Sequence, residues 1–320
     1  MAERISVALA TFNGAAYLTE QLRSIRAQTV PVDELILADD GSTDSTLDRA
    51  RAELSDWSGR LVVLPAQPQP LGVTGNFERA LAACTGDLVA LSDQDDVWHP
   101  NKLERMIGGL GDGLLAFSDA DLVDEYGLPL EGSPRLFQGL GLSEWERTRL
   151  RDGEAWGVLL RRNVVTGATV LLRRDVLTLA GSFPTSWVHD EWLAVVAAVH
   201  GGLRLVDEPT IDYRQHSANQ IGMRARLTLR DRISRLASPR SSRNMRLLER
   251  ASALAERATG WPGLAGPDAA AKLAHEIGRS ALPASRLRRA PWVVAAWRRG
   301  DYRRFGLGAQ DALRDLVQPV

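Results

Sequence analysis

The feature that most constrains this chain is a short apolar run that ends in a cluster of acids. Residues 88–91 are all apolar, and the chain then places Asp93, Asp95 and Asp96 within four positions. A continuous apolar run of this length is typical of a strand buried on both faces, as in a parallel sheet. The acids then lie at the carboxyl end of the strand, which is where open α/β sheets bind ligands.

The crowding of these carboxylates predicts a cation. Two unit charges about 4 Å apart interact by roughly 4 kcal/mol at an effective dielectric near 20, so acids at one strand end repel one another strongly. Hard oxygen ligands suit Mg²⁺ or Mn²⁺, and such ions bridge to substrate phosphates. The alternative is a solvated acidic turn in front of a helix that begins at Pro100.

The first half of the chain alternates apolar runs with helical spacing. Strands are predicted over residues 4–11, 34–38, 61–64, 88–91 and 114–118, and helices over 15–28, 43–54, 72–84 and 100–108. This rhythm predicts an α/β fold with a doubly wound, mostly parallel sheet. The strand ends at Thr11, Asp39–Asp40 and Asp93 then converge on one edge, which we predict to be the site.

Two common phosphate-binding loops are absent from the sequence. No G-x-G-x-x-G follows the first strand, and no G-x-x-x-x-G-K-[ST] occurs anywhere. A dinucleotide fingerprint and a P-loop are therefore both excluded. Phosphate binding would have to come from a metal and from other side chains, which favours a metal-bridged diphosphate.

Beyond Asp119 the pattern changes. Residues 164–172 resemble a strand that is interrupted by Gly167, and such a glycine indicates a bulge or the close approach of a ligand. A helix is predicted to open at Asp190 and to run to His200, with its first-turn acid favoured by the helix dipole. Two short strands are predicted over residues 203–206 and 210–213.

The charge of the chain is unevenly distributed. Residues 223–320 contain twenty arginines and lysines against eight acids, whereas residues 1–222 contain nineteen against thirty-two. This asymmetry predicts two parts with different roles, an acidic domain over residues 1–222 and a basic, helical C-terminal module over residues 223–320.

Residues 287–299 combine two tryptophans and several apolar side chains with flanking arginines. This composition favours peripheral contact with an anionic membrane surface. The alternative is a helix packed on the catalytic domain with its arginines solvated. Nucleic-acid binding is disfavoured because no recognised motif accompanies the charge.

Cysteine content and hydropathy indicate the cellular compartment in which the protein works. Cys84 is the only cysteine, which excludes an intrachain disulfide and favours a reducing environment, and no apolar run is long enough to span a bilayer. We therefore expect a cytoplasmic protein, peripheral at the inner face of the membrane if the basic module docks there.

Six segments of the chain, taken in order, resemble the family 2 glycosyltransferases of the GT-A fold, and within them the rhamnosyltransferase-like branch. They cover roughly residues 4–222 and carry short motifs, which are residues 7–14, 39–44, 92–98, 165–167, 189–193 and 213–216. The resemblance implies a GT-A catalytic domain that uses a nucleoside diphosphate sugar of the UDP or dTDP type.

The resemblance also implies site residues. Nucleotide-sugar contacts fall on Thr11, Asn13, Asp40, Asp93 and Gln94. Metal binding falls on Asp95, in the D-x-D motif, and on His216. Asp190 is implied as the general base that deprotonates the acceptor hydroxyl. Acceptor contacts fall on Gly167, Trp98 and Trp192.

Several of these residues have simpler interpretations. Asp40 could shape the following turn, Asp190 could be only a helix cap, and His216 could make a loop hydrogen bond. Tryptophans such as Trp98 and Trp192 mostly fill cores and interfaces.

The sequence thus predicts a metal-dependent, inverting glycosyltransferase that acts on a saccharide or lipid-linked saccharide acceptor in surface polysaccharide synthesis, with rhamnose as the family's leaning. One rival is a sugar-1-phosphate nucleotidyltransferase, but residues 11–18 contain one glycine and no basic residue where that class carries a glycine-rich basic loop. The other is a non-catalytic scaffold that binds nucleotide sugar or glycan.

Overall fold

The computed structural model describes residues 3–132, 134–216 and 239–319 of the 320-residue chain. In these ranges eight strands form one sheet. They are β1 (Ile5–Thr11), β2 (Glu34–Asp39), β3 (Arg60–Val63), β4 (Leu88–Ser92), β5 (Val97–Trp98), β6 (Leu115–Val123), β7 (Val170–Arg173) and β8 (Leu203–Arg214).

The strand order is β3-β2-β1-β4-β7-β6-β8-β5. Strands β1 to β4 run parallel to one another, as do β6 and β8, whereas β7 and β5 are antiparallel to their neighbours. The predicted mostly parallel sheet is confirmed. Because Leu9 of β1 aligns with Leu37 of β2 and with Ser92 of β4, these three strands end side by side.

Helices connect and cover the strands. They are α1 (Leu18–Arg26), α2 (Thr46–Glu53), α3 (Gly72–Ala83), α4 (Lys102–Leu110), α5 (Leu136–Gly139), α6 (Glu144–Arg151), α7 (Ala155–Leu159), α8 (Asp175–Ala180), α9 (His189–Val199), α10 (Ser241–Arg257), α11 (Ala265–Ser280), α12 (Arg286–Arg299), α13 (Asp301–Phe305) and α14 (Ala309–Val317). None of the helices in the described part of the chain has the length and hydrophobicity required to traverse a bilayer.

Each face of the sheet has its own hydrophobic core. Val7 and Leu9 of β1 pack on one face against Leu22 of α1. Ala8, between them in sequence, faces the other core together with Phe77 of α3 and Val196 of α9. Burial of both faces explains why the strands are continuous apolar runs rather than alternating ones.

Three of the predicted strands differ from the structure. Residues 167–169 form a single 3₁₀ turn, and only Val170–Arg173 continues as a strand. The two short strands predicted near residues 203–213 form one strand, β8. Its pairing with β6 shifts register on both sides of Asp119, and Pro209 lies opposite Asp119 at this irregularity. Such a bulge lets a strand tolerate a proline that would otherwise end it.

The C-terminal helices share an interior with the part of the chain that forms the sheet. Leu254 and Ala269 belong to the same core as Phe77 and Val196. The indole of Trp156 donates to Asp268 Oδ2 at 2.8 Å across this contact. The predicted domain boundary between residues 222 and 223 lies outside the described residues, so the division into two domains stays a prediction.

A buried ionic network holds the C-terminal helices together. Arg279 is 1% exposed and donates through Nε to Asp315 Oδ2 at 2.7 Å, and the hydroxyl of Tyr302 donates to the same oxygen at 2.9 Å. Glu276 also pairs with Arg279, at 3.1 Å. Part of the positive charge of this module is thus internal rather than solvated.

Candidate active site

The acidic loop after β4 lies at the carboxyl edge of the sheet, as the sequence predicts. Asp96 is 1% exposed; its Oδ1 accepts from the backbone N–H of Arg214 at 3.1 Å, and its Oδ2 has no hydrogen-bond partner among the described residues. Burial, followed by the charges of Asp95 and Asp93, raises the pKa of Asp96 well above its usual range.

Asp93 connects this loop electrostatically to the second half of the chain. Burial raises the pKa of Asp93 to about 7, with further contributions from the charges of Asp95 and Asp190, while Lys102 opposes the shift. Asp190, which lies far along the chain from the acidic loop, is thus within electrostatic reach of Asp93. Perturbed carboxylates grouped in this way are typical of functional sites.

Asp95 and His216, the predicted metal ligands, are in direct contact. Nε2 of His216 lies 2.7 Å from Asp95 Oδ2. The imidazole also stacks on the ring of Tyr17, with centroids 4.8 Å apart, and Arg214 donates through Nε to the carbonyl of Asp95 at 2.8 Å. A carboxylate oxygen beside an imidazole nitrogen is a donor set that fits Mn²⁺ and accommodates Mg²⁺ with added waters.

Asp190 lies in the first turn of α9 and is held by two backbone N–H groups. Oδ1 accepts from the N–H of Glu191 at 2.7 Å, and Oδ2 accepts from the N–H of Gly167 at 2.8 Å. Burial raises the pKa of Asp190 to about 6, while these hydrogen bonds oppose the shift. The carboxylate is therefore ionised at neutral pH and is more basic than an ordinary aspartate, as a general base requires.

Gly167 allows this close approach. A Cβ at Gly167 would lie 3.0 Å from Nε2 of His189 and 3.5 Å from Oδ2 of Asp190. The sequence predicted that a ligand or a bulge would explain this glycine, but in the structure the chain itself approaches it. His189 stacks on Phe77 at 4.0 Å, and burial lowers its pKa to about 3, so the imidazole is neutral.

The predicted nucleotide-binding residues frame the edge formed by β1, β2 and β4, but several are bonded to the chain. The amide of Gln94 accepts from the N–H of Phe12 at 2.8 Å and donates to its carbonyl at 3.0 Å. The hydroxyl of Thr11 donates to Asp39 Oδ1 at 2.7 Å, and Asn13 Oδ1 accepts from the N–H of Thr43 at 2.8 Å.

Asp40 fixes the start of α3. Its two carboxylate oxygens accept from the N–H groups of Leu71 at 2.7 Å and Gly72 at 2.9 Å. The turn that follows β2 is shaped instead by Asp39, whose Oδ2 accepts from the N–H groups of Gly41 at 3.1 Å and Ser42 at 2.8 Å. Asp40 thus positions the loop that ends at Leu71, beside the edge formed by β1, β2 and β4. Its contact with a nucleotide stays a prediction.

The two tryptophans implied as acceptor contacts are in the interior. Trp98 is 2% exposed and Trp192 is 1% exposed. Trp192 packs edge to face on Trp187, with centroids 5.6 Å apart, and its indole donates to the carbonyl of Ala180 at 3.2 Å. Their burial corrects the predicted acceptor role, because neither ring presents a face on which a sugar can stack.

Sequence reasoning missed Lys102. This residue is 0% exposed, its Nζ donates to the carbonyl of Ala168 at 2.7 Å, and the same nitrogen lies 3.9 Å from the ring centroid of Trp98. Burial lowers the pKa of Lys102 to about 7, while the charges of Asp96 and Asp93 oppose the shift. A signal was available, because Lys102 is one of only two lysines in a chain rich in arginine.

A second group of metal-ligating type lies on strands β6 and β8 and just after β5. His99, Asp121 and Asp212 can each offer one ligand atom, and these atoms lie within 4.8 Å of one another. The closest pair is His99 Nε2 and Asp212 Oδ1, at 3.0 Å. All three side chains are partly exposed. Among the described residues this is the one group of three such side chains that could hold a cation, and the sequence did not predict it.

Comparison with known proteins decides the family. Residues 6–125 match the model of glycosyl transferase family 2. An uncharacterized glycosyltransferase of Nostoc sp. is 30% identical over 227 residues, which is 68% of this chain and 66% of that protein. The chain belongs to glycosyl transferase family 2. This glycosyltransferase is also 23% identical over 240 residues to a dTDP-rhamnosyl transferase of Shigella flexneri, covering 73% of this chain and 79% of the relative.

Solved structures show the same fold. S. aureus TarS in complex with UDP-GlcNAc superimposes with a TM-score of 0.56 at 16% identity, over 86% of this chain and 72% of that one. The mannosyltransferase PcManGT from Pyrobaculum calidifontis, in complex with GDP-Man and Mn²⁺, superimposes with a TM-score of 0.55 at 20% identity, over 99% of this chain and 86% of that one. The predicted GT-A fold is confirmed.

Proposed function

We propose that this family 2 glycosyltransferase moves a sugar from a nucleoside diphosphate donor to a saccharide or lipid-linked saccharide acceptor in surface polysaccharide synthesis. The observation that supports the proposal is that Asp190, bound by the N–H of Gly167 just ahead of β7, lies within electrostatic reach of Asp93 in the acidic loop. The Shigella relative uses a dTDP-rhamnosyl donor by its name, which supports a pyrimidine nucleotide and rhamnose as the first donor to test.

The chain's own residues supply the positions that the reaction needs. Asp190 takes the proton of the acceptor hydroxyl, and this single base with direct attack implies inversion at the anomeric carbon. Thr11, Asn13 and Asp93 frame the edge that receives the nucleotide. Asp95 and His216 would hold Mg²⁺ or Mn²⁺, which when bound stabilises the negative charge that develops on the leaving diphosphate.

Donor turnover tests the proposal against a non-catalytic scaffold that only binds nucleotide sugar. We expect the purified protein with Mn²⁺ to release nucleoside diphosphate slowly from one member of a panel of dTDP- and UDP-sugars, and faster when the acceptor is present. Chelation of the metal with EDTA should stop the release. Donor binding by calorimetry without any release would favour the scaffold.

Asp95→Ala is expected to weaken the metal-dependent part of nucleotide binding by about tenfold or more, because it removes a carboxylate ligand. Calorimetric titration of UDP or dTDP with and without Mn²⁺ measures this difference. The matched control is Asp212→Asn, which alters the second group of metal-ligating residues. If Asp212→Asn loses metal dependence and Asp95→Ala keeps it, the metal belongs to the group of His99 and not to that of His216.

We also propose that α12 contacts an anionic membrane surface. Three apolar side chains on this helix are exposed, namely Leu287 (88%), Val294 (45%) and Trp297 (38%). Exposed arginines flank them on both sides, as at Arg288 and Arg298. This arrangement supports interfacial docking, which would bring a lipid-linked acceptor to the site.

Replacing Arg298 and Arg299 with glutamine is expected to lower the affinity for phosphatidylglycerol vesicles by roughly 30-fold, since each basic residue near the surface contributes about 1 kcal/mol. Co-sedimentation with these vesicles measures the change, and phosphatidylcholine vesicles should bind neither form. Arg49→Gln with Arg51→Gln, on the exposed face of α2, is the matched control. Equal losses in both double variants would mean that α12 has no special part in binding.

A further inference from the structure

Lys102 begins α4 and places its ammonium group behind the acidic loop. The side chain is wholly buried, with Nζ 2.7 Å from the carbonyl oxygen of Ala168 and 3.9 Å from the ring centroid of Trp98. Removing an ammonium group from water costs several kcal/mol unless nearby groups compensate it. Here the compensation comes from the carboxyl groups of Asp96 and Asp93, whose charges favour the protonated lysine.

The carbonyl that Lys102 binds belongs to the 3₁₀ turn Gly167–Thr169. The N–H of Gly167, at the start of this turn, donates to Oδ2 of Asp190 at 2.8 Å. The middle residue of the turn is therefore held by the ammonium of Lys102, and the first residue binds the carboxylate of Asp190.

We propose that Lys102 is a positioning residue that couples the acidic loop to Asp190 through the backbone of Ala168 and Gly167. It acts through this turn and does not touch the reacting atoms. The inference rests on the proposed role of Asp190 as the base and extends it, because it assigns the placement of the base to a lysine on the donor side of the site. A displacement of a reacting group by about 1 Å can reduce a rate by about 100-fold.

The other lysine of the chain provides a matched control. Lys272 is 8% exposed, and its Nζ donates to the carbonyls of Leu160 at 2.7 Å and Phe305 at 3.0 Å. Both lysines thus bury an ammonium on backbone carbonyls. Only Lys102 binds the turn that holds Asp190.

The experiment compares Lys102→Met with Lys272→Met. Both variants should lose stability in urea unfolding, since each removes a buried hydrogen-bonded charge. Lys102→Met should lower kcat for transfer by about 100-fold while the KM for the donor changes little, and Lys272→Met should keep the kcat of the wild type. Hydrogen exchange at the amide of Gly167 should become faster in Lys102→Met alone.

Two results would overturn the proposal: an unchanged kcat and unchanged Gly167 exchange in Lys102→Met, or equal losses of kcat in both variants. If Lys102→Met does not fold, Lys102→Leu takes its place, because leucine also removes the donor to the Ala168 carbonyl and is tested by the same two measurements. If the wild type turns over no donor, the proposed function fails. Exchange at Gly167 still decides whether Lys102 holds the turn.

Discussion

Asp190→Asn is expected to slow sugar transfer by about 10²–10⁴-fold, because the amide cannot accept the proton of the acceptor hydroxyl. Nucleotide affinity should stay at the wild-type value, since Asp190 lies on the acceptor side of the proposed site. Release of nucleoside diphosphate in the presence of acceptor measures the first quantity, and calorimetry with Mn²⁺ and the nucleotide measures the second.

The structure also predicts a cost in stability for this variant. The carboxylate accepts from two N–H groups, those of Gly167 and Glu191, whereas an asparagine has one oxygen and leaves one of them without its acceptor. An unsatisfied buried donor costs about 1–3 kcal/mol. Urea unfolding should therefore accompany the kinetics. Transfer at the wild-type rate by a folded Asp190→Asn protein would remove Asp190 from the mechanism.

Glu191→Gln is the control for that experiment. Glu191 is the next residue of α9, is as buried as Asp190, and forms an ion pair with Arg250. The substitution disturbs the same helical turn without touching the proposed base. We expect it to reduce stability and to leave the transfer rate of the folded protein unchanged.

Asp315→Asn is expected to have the largest effect on stability, a loss of about 3 kcal/mol in the free energy of unfolding. Asp315 is 0% exposed and accepts hydrogen bonds from Arg279, Arg243 and Tyr302. Removing its charge leaves Arg279 buried with less compensation, and breaking a buried pair in this way costs more than the pair itself contributes.

Equilibrium unfolding in urea measures this loss. The control is Asp112→Asn, whose side chain is 94% exposed and pairs with Arg204 at 2.9 Å. Surface pairs of this kind contribute about 0–1 kcal/mol, so the control should unfold close to the wild-type midpoint. Similar losses in the two variants would mean that the buried network does not stabilise the C-terminal helices.

Sequence alone was sufficient for strands β1 to β4 and for the position of the acidic loop. The run over residues 88–91 predicted β4, and the acids that follow it do lie at the carboxyl edge. The contact between Asp95 and His216 followed from a resemblance, since 121 positions separate them. Local pattern contains no information about such a distance.

Other features depended on tertiary contacts that no local pattern encodes. A tryptophan such as Trp192 is a residue type that can stack on a sugar, but its contacts with Trp187 and with the carbonyl of Ala180 hold it in the core. The hydrogen bonds of Asp40 go to Leu71 and Gly72, whose loop could not be placed from sequence. The sequence shows that Lys102 is one of only two lysines, but it does not show the hydrogen bond from Lys102 to the carbonyl of Ala168.

The core shared between the C-terminal helices and the catalytic region limits how this chain can change. Leu254, Ala258 and Ala269 complete the same interior as Phe77 of α3. A premature stop before Ala258 would therefore remove part of the wall behind the helix that carries Asp190, rather than an appendage. In an evolving lineage, the C-terminal helices and the sheet region that they pack against would have to vary together or keep the residues at which they meet.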